Sequence, residues 1–298
     1  MSTADGSPLP PTPSPSPPPP QTPFIEVRTT RQGFLGAFAA RDIKAGSLVV
    51  NDSPLFVVDA PLQHWLFSRA QTGSSGGPTP VEGEEDLPPA KDFDEFMDRM
   101  IRQTLSWKTE GQREEFWELA NTHEELPSAY GIFATNAVQT TGELGGLFPL
   151  LSRVNSSCRP TLSRPAWDQT SRTTRLFALR DIAVGEELTW TYLNVTFEFD
   201  SVAARKDEMK RVFGFECGCD ACESYDQSAE DTEESERRLM RLRRLKERIG
   251  GFVEPSGQMT EGRKKALQTM SLLSREEGLY ETAQRLEAVV EQNRIDFH

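Results

Sequence analysis

The feature that most constrains this chain is the placement of its four cysteines. Three stand in one short run, Phe213-Gly-Phe-Glu-Cys-Gly-Cys-Asp-Ala-Cys222. The fourth, Cys158, lies much earlier, in the polar turn Leu151-Ser-Arg-Val-Asn-Ser-Ser-Cys-Arg-Pro-Thr161. Cys217, Cys219 and Cys222 are close enough in sequence for their sulfurs to face one centre, and such a centre needs one further ligand. Cys158 is the only cysteine left to supply it. Zinc favours tetrahedral thiolate coordination, and a structural zinc site closes all four positions with protein ligands. The spacing therefore predicts a structural Zn2+ site of Cys158, Cys217, Cys219 and Cys222. Iron–sulfur ligation is disfavoured, because Cys-x-Cys lacks the usual cluster spacing.

This reading needs reduced thiols. The N-terminus lacks the charged start and apolar core of a secretory signal, and no apolar run reaches membrane-spanning length. The expectation is an intracellular protein, nuclear or cytoplasmic, in which cysteines serve metals rather than disulfides. A formal net charge of −13 excludes general affinity for nucleic acid, whose backbone selects basic surfaces. It suits a basic polypeptide partner.

The chain then divides by composition. Residues 1–23 are dominated by proline and cannot bury enough apolar surface to offset ordering entropy, so a disordered tail is expected there. Alternating strands are predicted at Phe24–Arg28, Ser47–Val50, Arg175–Leu179 and Glu186–Tyr192. The motif Arg-Asp-Ile-x-x-Gly occurs before two of them, at 41–46 and 180–185, and reads as turn chemistry. Gly33 and Gly36 would permit positive φ or close backbone approach. Residues 60–129 read as a helical insert, with an exposed loop at 71–90 and apolar residues at helical spacing over 91–126. From Tyr130 the pattern Gly131-Ile-Phe-Ala-Thr-Asn-Ala-Val138 reads as strand. A helix is expected at Ala203–Val212, an acidic patch at 226–236 and a basic helix at 237–249. That last is either a solvated face or an import signal. Two more helices, 261–277 and 279–295, meet at Gly278.

At this point the residues resemble a known family. Val154-Asn-Ser-Ser-Cys-Arg-Pro-Thr161 resembles the central Asn-His-Ser-Cys-x-Pro-Asn motif of SET-domain protein-lysine methyltransferases. Gly185-Glu-Glu-Leu-Thr-Trp-Thr-Tyr192 resembles the strand ending in their catalytic tyrosine, and Cys217-x-Cys219-x-x-Cys222 their post-SET cluster. The run from Gly33 to Gly46 matches their opening motif more loosely. The resemblance is closest to the split-SET branch that carries a MYND finger, but residues 60–129 contain no cysteine, so that finger is absent.

The resemblance implies an α+β architecture, a β-rich knotted SET fold split between 24–59 and 130–198. The helical insert would lie between the halves. A post-SET zinc segment at 199–224 and a helical C-terminal region at 225–298 would follow. It implies S-adenosyl-L-methionine as cofactor, a protein substrate presenting a lysine, for which a basic tail is one form, and neither nucleic-acid nor membrane binding. Tyr192 would be the catalytic hydroxyl. Leu35, Gly36, Asn136, Asn155, Ser156 and Phe215 would form the cofactor site. Read without the other motifs, Tyr192 is a strand aromatic, Asn155 a turn former and Phe215 a core residue. Four positions depart from the pattern. Ser156 replaces the motif histidine and Thr161 its last asparagine, Phe213 stands where many relatives have a second tyrosine, and Phe34-Leu-Gly36 replaces Gly-x-Gly. The alternative these departures support is a catalytically silent SET-fold interaction module that keeps the zinc site.

Overall fold

The computed structural model describes residues 24–58, 90–140, 145–227, 229–250 and 259–295. The proline-rich segment 1–23 and nearly all of loop 71–90 lie outside them. Packing divides the described residues into two units, the first within 51–152 and 167–174 and the second within 24–50, 153–166 and 175–295.

The second unit opens with a hairpin of β1 (Ile25–Thr29) and β2 (Leu35–Ala39), antiparallel with Ile25 opposite Ala39 and Thr29 opposite Leu35. The turn between them needs Gly33, whose φ is +87°, a region that costs nothing only without a Cβ. Strand β3 (Leu48–Asp52) follows.

The first unit carries β4 (Phe56–Val58), then α1 (Phe93–Ser106), α2 (Glu110–Trp117) and α3 (Ser128–Asn136), and β5 (Gly145–Leu147) antiparallel to β4. Asp92 caps α1, accepting from Glu95 N at 2.9 Å, and Thr109 with Gln112 forms a capping box on α2. These satisfy N–H groups that a helix start leaves without partners. The unit's core is apolar, built from Phe56, Met97, Ile101, Phe116, Ile132 and Phe133.

Helix α3 corrects the strand expected at Gly131–Val138. Its buried residues Ala129, Ile132 and Phe133 follow helical spacing. Its free N–H groups at Ala129 and Tyr130 are taken by the Asp98 carboxylate of α1, at 2.7 and 3.1 Å. The cap comes from thirty residues away, where no local pattern could show it.

The remaining strands are β6 (Asn155–Ser156), β7 (Ala166–Asp168), β8 (Thr173–Phe177) and β9 (Glu187–Trp190). One sheet has the order β1-β2-β9-β6, with β6 parallel to β9, and another has the order β3-β8-β7. The two Arg-Asp-Ile-x-x-Gly turns clasp each other. Ile43 and Ile182 exchange backbone hydrogen bonds at 2.8 and 2.9 Å. Asp42 accepts from Val184 N and Asp181 from Ala45 N, both at 2.9 Å. Turn chemistry accounts for the repeat, and the two copies use it on one another.

After β9 come α4 (Val202–Phe213), α5 (Asp220–Gln227), α6 (Ala229–Ile249), α7 (Glu261–Glu276) and α8 (Tyr280–Ile295). The acidic stretch at 226–236 thus belongs largely to α6. Gly214 ends α4 in the left-handed region at φ +74°. Leu239, Leu242, Leu267, Met270, Leu273 and Leu286 form the core that joins α6, α7 and α8. No helix among the described residues is long and apolar enough to cross a membrane.

Candidate active site

Strand β9 lies between β2 and β6, and this places the ends of three motifs together. Asn155, on β6, is paired with Thr189 of β9. Its Nδ2 donates to Leu35 O at 3.2 Å and to Glu187 Oε1 at 2.9 Å. Both partners are acceptors, so the amino side of the amide must face them and Oδ1 is left to accept. Gly36 is forced by the same contact. A Cβ there would lie 2.7 Å from Thr30 Cγ2, 2.8 Å from Asn155 Nδ2 and 2.9 Å from Glu187 Oε1. Leu35, Gly36 and Asn155 therefore form one backbone-lined cradle.

Tyr192 lies just past β9. Its N–H donates to Ser156 Oγ at 3.3 Å, and its hydroxyl donates to Val154 O at 2.9 Å. Its ring centroid is 4.7 Å from that of Trp190 and 5.3 Å from that of Phe213, and Phe213 is 6.3 Å from Phe215. Burial, reinforced by the negative charge of Glu187, pushes the phenol well above its ordinary 10. The hydroxyl stays neutral at any physiological pH, so it cannot serve as a general base. With its proton on Val154 O, it offers lone pairs.

The cysteines converge as their spacing suggests. All four sulfurs lie within 4.8 Å of one another. Cys158 Sγ is 3.9 Å from Cys217 Sγ and 3.6 Å from Cys222 Sγ. A disulfide would need about 2.05 Å. A tetrahedral centre with metal–sulfur bonds of about 2.3 Å puts its sulfurs roughly 3.8 Å apart, so the donor set fits a metal. Cys158 N also donates to Cys219 Sγ at 3.4 Å. Hydrogen bonds to Cys219 from Cys158, Cys217 and Cys222 hold that thiol below its ordinary value.

Residues 35–193 match the family model of the SET domain. The chain belongs to the SET-domain family. In sequence it is 33% identical over 123 residues to the histone-lysine N-methyltransferase set5 of Schizosaccharomyces pombe, covering 41% of this chain and 37% of that protein. It is 35% identical over 85 residues to human histone-lysine N-methyltransferase SMYD3, covering 28% of this chain and 18% of that protein. The chain thus spans about a third or less of the length of these curated relatives. Among solved structures, the SET domain of LSMT bound to lysine and AdoHcy aligns with TM-score 0.37 and 11% identity, over 93% of this chain and 88% of that one.

Within the SET domain, Leu35 and Gly36 on β2 and Asn155 and Ser156 on β6 flank β9, and Tyr192 lies just past the end of β9. Phe215 packs against the group of buried residues that contains the cysteines. Asn136 belongs to the other unit. There its Nδ2 donates to Ala120 O and Ile132 O, at 2.7 and 2.8 Å, leaving Oδ1 as its acceptor.

Sequence reasoning missed the residues that hold the central turn. Arg159, next to Cys158, pairs with Glu277, which also accepts from Ser235 Oγ at 2.6 Å and Arg238 Nε at 2.9 Å. Arg164 donates to Leu193 O at 2.6 Å and to Glu198 at 3.2 Å. Glu198 also accepts from Thr282 Oγ1 at 2.6 Å and Arg285 at 3.1 Å. These contacts fasten the junction of α7 and α8 to the SET strands. No sequence signal pairs residues 118 positions apart, as Arg159 and Glu277 are.

Proposed function

We propose that this chain is an S-adenosylmethionine-dependent protein-lysine N-methyltransferase with a structural zinc centre at Cys158, Cys217, Cys219 and Cys222. The observation that carries this is the placement of a neutral, buried Tyr192 hydroxyl 2.9 Å from Val154 O, one residue before Asn155. An acceptor oxygen in an aromatic wall thus lies beside the cradle that a SET domain uses for cofactor. The knotted threading that the family implies is part of the same proposal.

When bound, S-adenosylmethionine supplies an electrophilic methyl group on a sulfonium. Asn155 Oδ1 and Leu35–Gly36 would receive its amino-acid end, with Ser156 and Phe215 completing the site. Trp190, Tyr192 and Phe213 would exclude water around the incoming lysine. Desolvation disfavours the ammonium and delivers the neutral amine. The Tyr192 oxygen would accept from that amine and set its line of approach, which is where most of the rate would come from. Zinc would fold the segment bearing Phe215 onto the Asn155–Cys158 turn. The acidic chain suits a lysine on a basic tail, as in a histone, in the nucleus or cytoplasm.

A second reading has one specific observation behind it. Phe213 stands 5.3 Å from the Tyr192 ring without a hydroxyl, so one polar group is missing from the wall. A silent SET module would bind cofactor and transfer nothing.

The test is transfer of labelled methyl from S-adenosylmethionine to core histones and to cell extract, beside cofactor titration. The expected result is transfer by the wild type, with Tyr192→Phe slower by about 100-fold at unchanged cofactor affinity. Binding without transfer to any protein selects the silent module. No cofactor binding sinks both readings.

A further inference from the structure

Helix α4 buries Val202, Arg205 and Met209 on one face, and Val202 and Met209 pack in one cluster with Cys158, Cys217 and Cys222. Arg205, between them on that face, is an arginine at an apolar position, only 1% exposed. Its Nη1 donates to Asp200 O, and its Nε is buried without a partner. Among the described residues it makes no ion pair with a carboxylate. The sulfurs of Cys158, Cys222 and Cys219 act to raise its pKa, although burial alone would lower it. It also lines a cavity of about 20 Å3 whose wall includes Cys158.

A buried guanidinium is costly unless paired. A zinc ion held by four thiolates leaves a net charge of roughly −2, which is costly to bury as well. Each side of this contact lacks what the other carries. We propose that Arg205 is the counter-ion of the cysteine centre, a buried cation that offsets the charge of the zinc tetrathiolate and donates to the Cys158 sulfur. The inference rests on the zinc reading above and adds a residue outside the ligand set. In this role Arg205 is a positioning residue. It fixes the orientation of the Cys158 thiolate and lowers the cost of collecting four anionic sulfurs, and it touches no reacting group.

The experiment compares zinc affinity, by competition with a chromophoric chelator, in the full chain and in Cys158→Ser, Arg205→Met and Arg205→Lys. One zinc per wild-type chain is expected, lost in Cys158→Ser. Arg205→Met should bind about 10–100-fold more weakly, the usual effect of removing a group that supports a metal ligand. Arg205→Lys, which keeps charge but not the planar fork, should fall between. A role in packing alone predicts a different pattern. It would lower the stability of the metal-free protein, whereas removing an unpaired cation should leave that stability equal or higher. Zinc bound by Arg205→Met within about twofold of wild type overturns the counter-ion and leaves the zinc site standing. Failure of the wild type to bind zinc sinks both. Should Arg205→Met not fold, the sulfur-to-cobalt absorption band of Co2+-loaded wild type and Arg205→Lys decides. A shifted band supports the contact. An identical band with identical affinity overturns it.

Discussion

Asp52 in the first unit and two glutamates in the second are buried in opposite ways. Asp52 accepts from backbone N–H groups, that of Leu151 at 2.9 Å among them. In the second, Glu198 and Glu277 accept from arginines brought from elsewhere in the chain. A neutral donor satisfies an acceptor without compensating its charge. Burial therefore pushes Asp52 up to about 6, although hydrogen bonds from Leu151, Leu150 and Ser53 pull the other way. Burial also acts on Glu277, but the Arg159 charge and hydrogen bonds from Ser235, Arg159 and Arg238 outweigh it and hold the carboxyl below its ordinary 4.5. The first arrangement ends helices and turns inside a core that apolar contacts hold. The second sets the register of the C-terminal helices through directional ionic contacts.

The contrast is tested most strongly in the apolar core. Phe116 is fully buried, with its ring 6.1 Å from Phe56 and 5.0 Å from Trp117. Phe116→Ala should cost about 3–5 kcal/mol, from lost transfer energy and the cavity left behind. Urea unfolding should show this loss equally at low and high salt. Strong salt dependence of that loss would mean the first unit is not held as described.

Glu277→Ala should come next. It leaves Arg159 without a carboxylate and Arg238 with Glu234 alone, while their side chains remain only 14% and 22% exposed. Breaking a buried pair on one side costs about 3–5 kcal/mol, and the lower end applies because both guanidiniums keep some water. Arg159 adjoins Cys158, so zinc retention at a fixed chelator concentration should fall as well. A loss below about 1 kcal/mol, the range of surface pairs, would show that the Arg159–Glu277 contact does not set the register of these helices.

What the sequence made legible follows the range of the forces involved. Alternation located β1, β3, β8 and β9 to within a few residues, and β8 buries every second residue as that pattern requires, whereas β1 is largely exposed. Local motifs located Gly36, Asn155, Tyr192 and the cysteines, since their chemistry depends on neighbours in sequence. Helix α3 was missed because its cap, Asp98, lies on another helix. Glu187, which orients Asn155, reads in sequence as one more charge on a strand. Arg159 and Arg164 read as surface cations until the fold supplies Glu277 and Glu198. Charge that is paired across the chain is indistinguishable in sequence from charge left in water.

Asp52 offers the smallest effect but separates the two kinds of carboxylate by sign. Its folded pKa of about 6 stands above its ordinary 3.8, so the folded state holds the proton more tightly than the unfolded chain. Below about pH 4 both states are protonated and burial of the group carries no ionic cost. As pH rises through 6 the buried carboxyl must ionise, and stability falls by an amount on the order of 2–3 kcal/mol, then stays level. Glu277 works in the other direction. Its depressed pKa contributes stability above 4.5 that is lost as pH falls through the folded value. Melting temperature against pH should therefore respond oppositely to two isosteric changes. Asp52→Asn should remove the decline between about pH 4 and 6 and leave the protein about 1–2 kcal/mol more stable than wild type at pH 8, one hydrogen bond being lost in exchange. Glu277→Gln should destabilise at pH 8 and converge on wild type in acid. If both variants shift the curve the same way, donor type does not govern these buried acids.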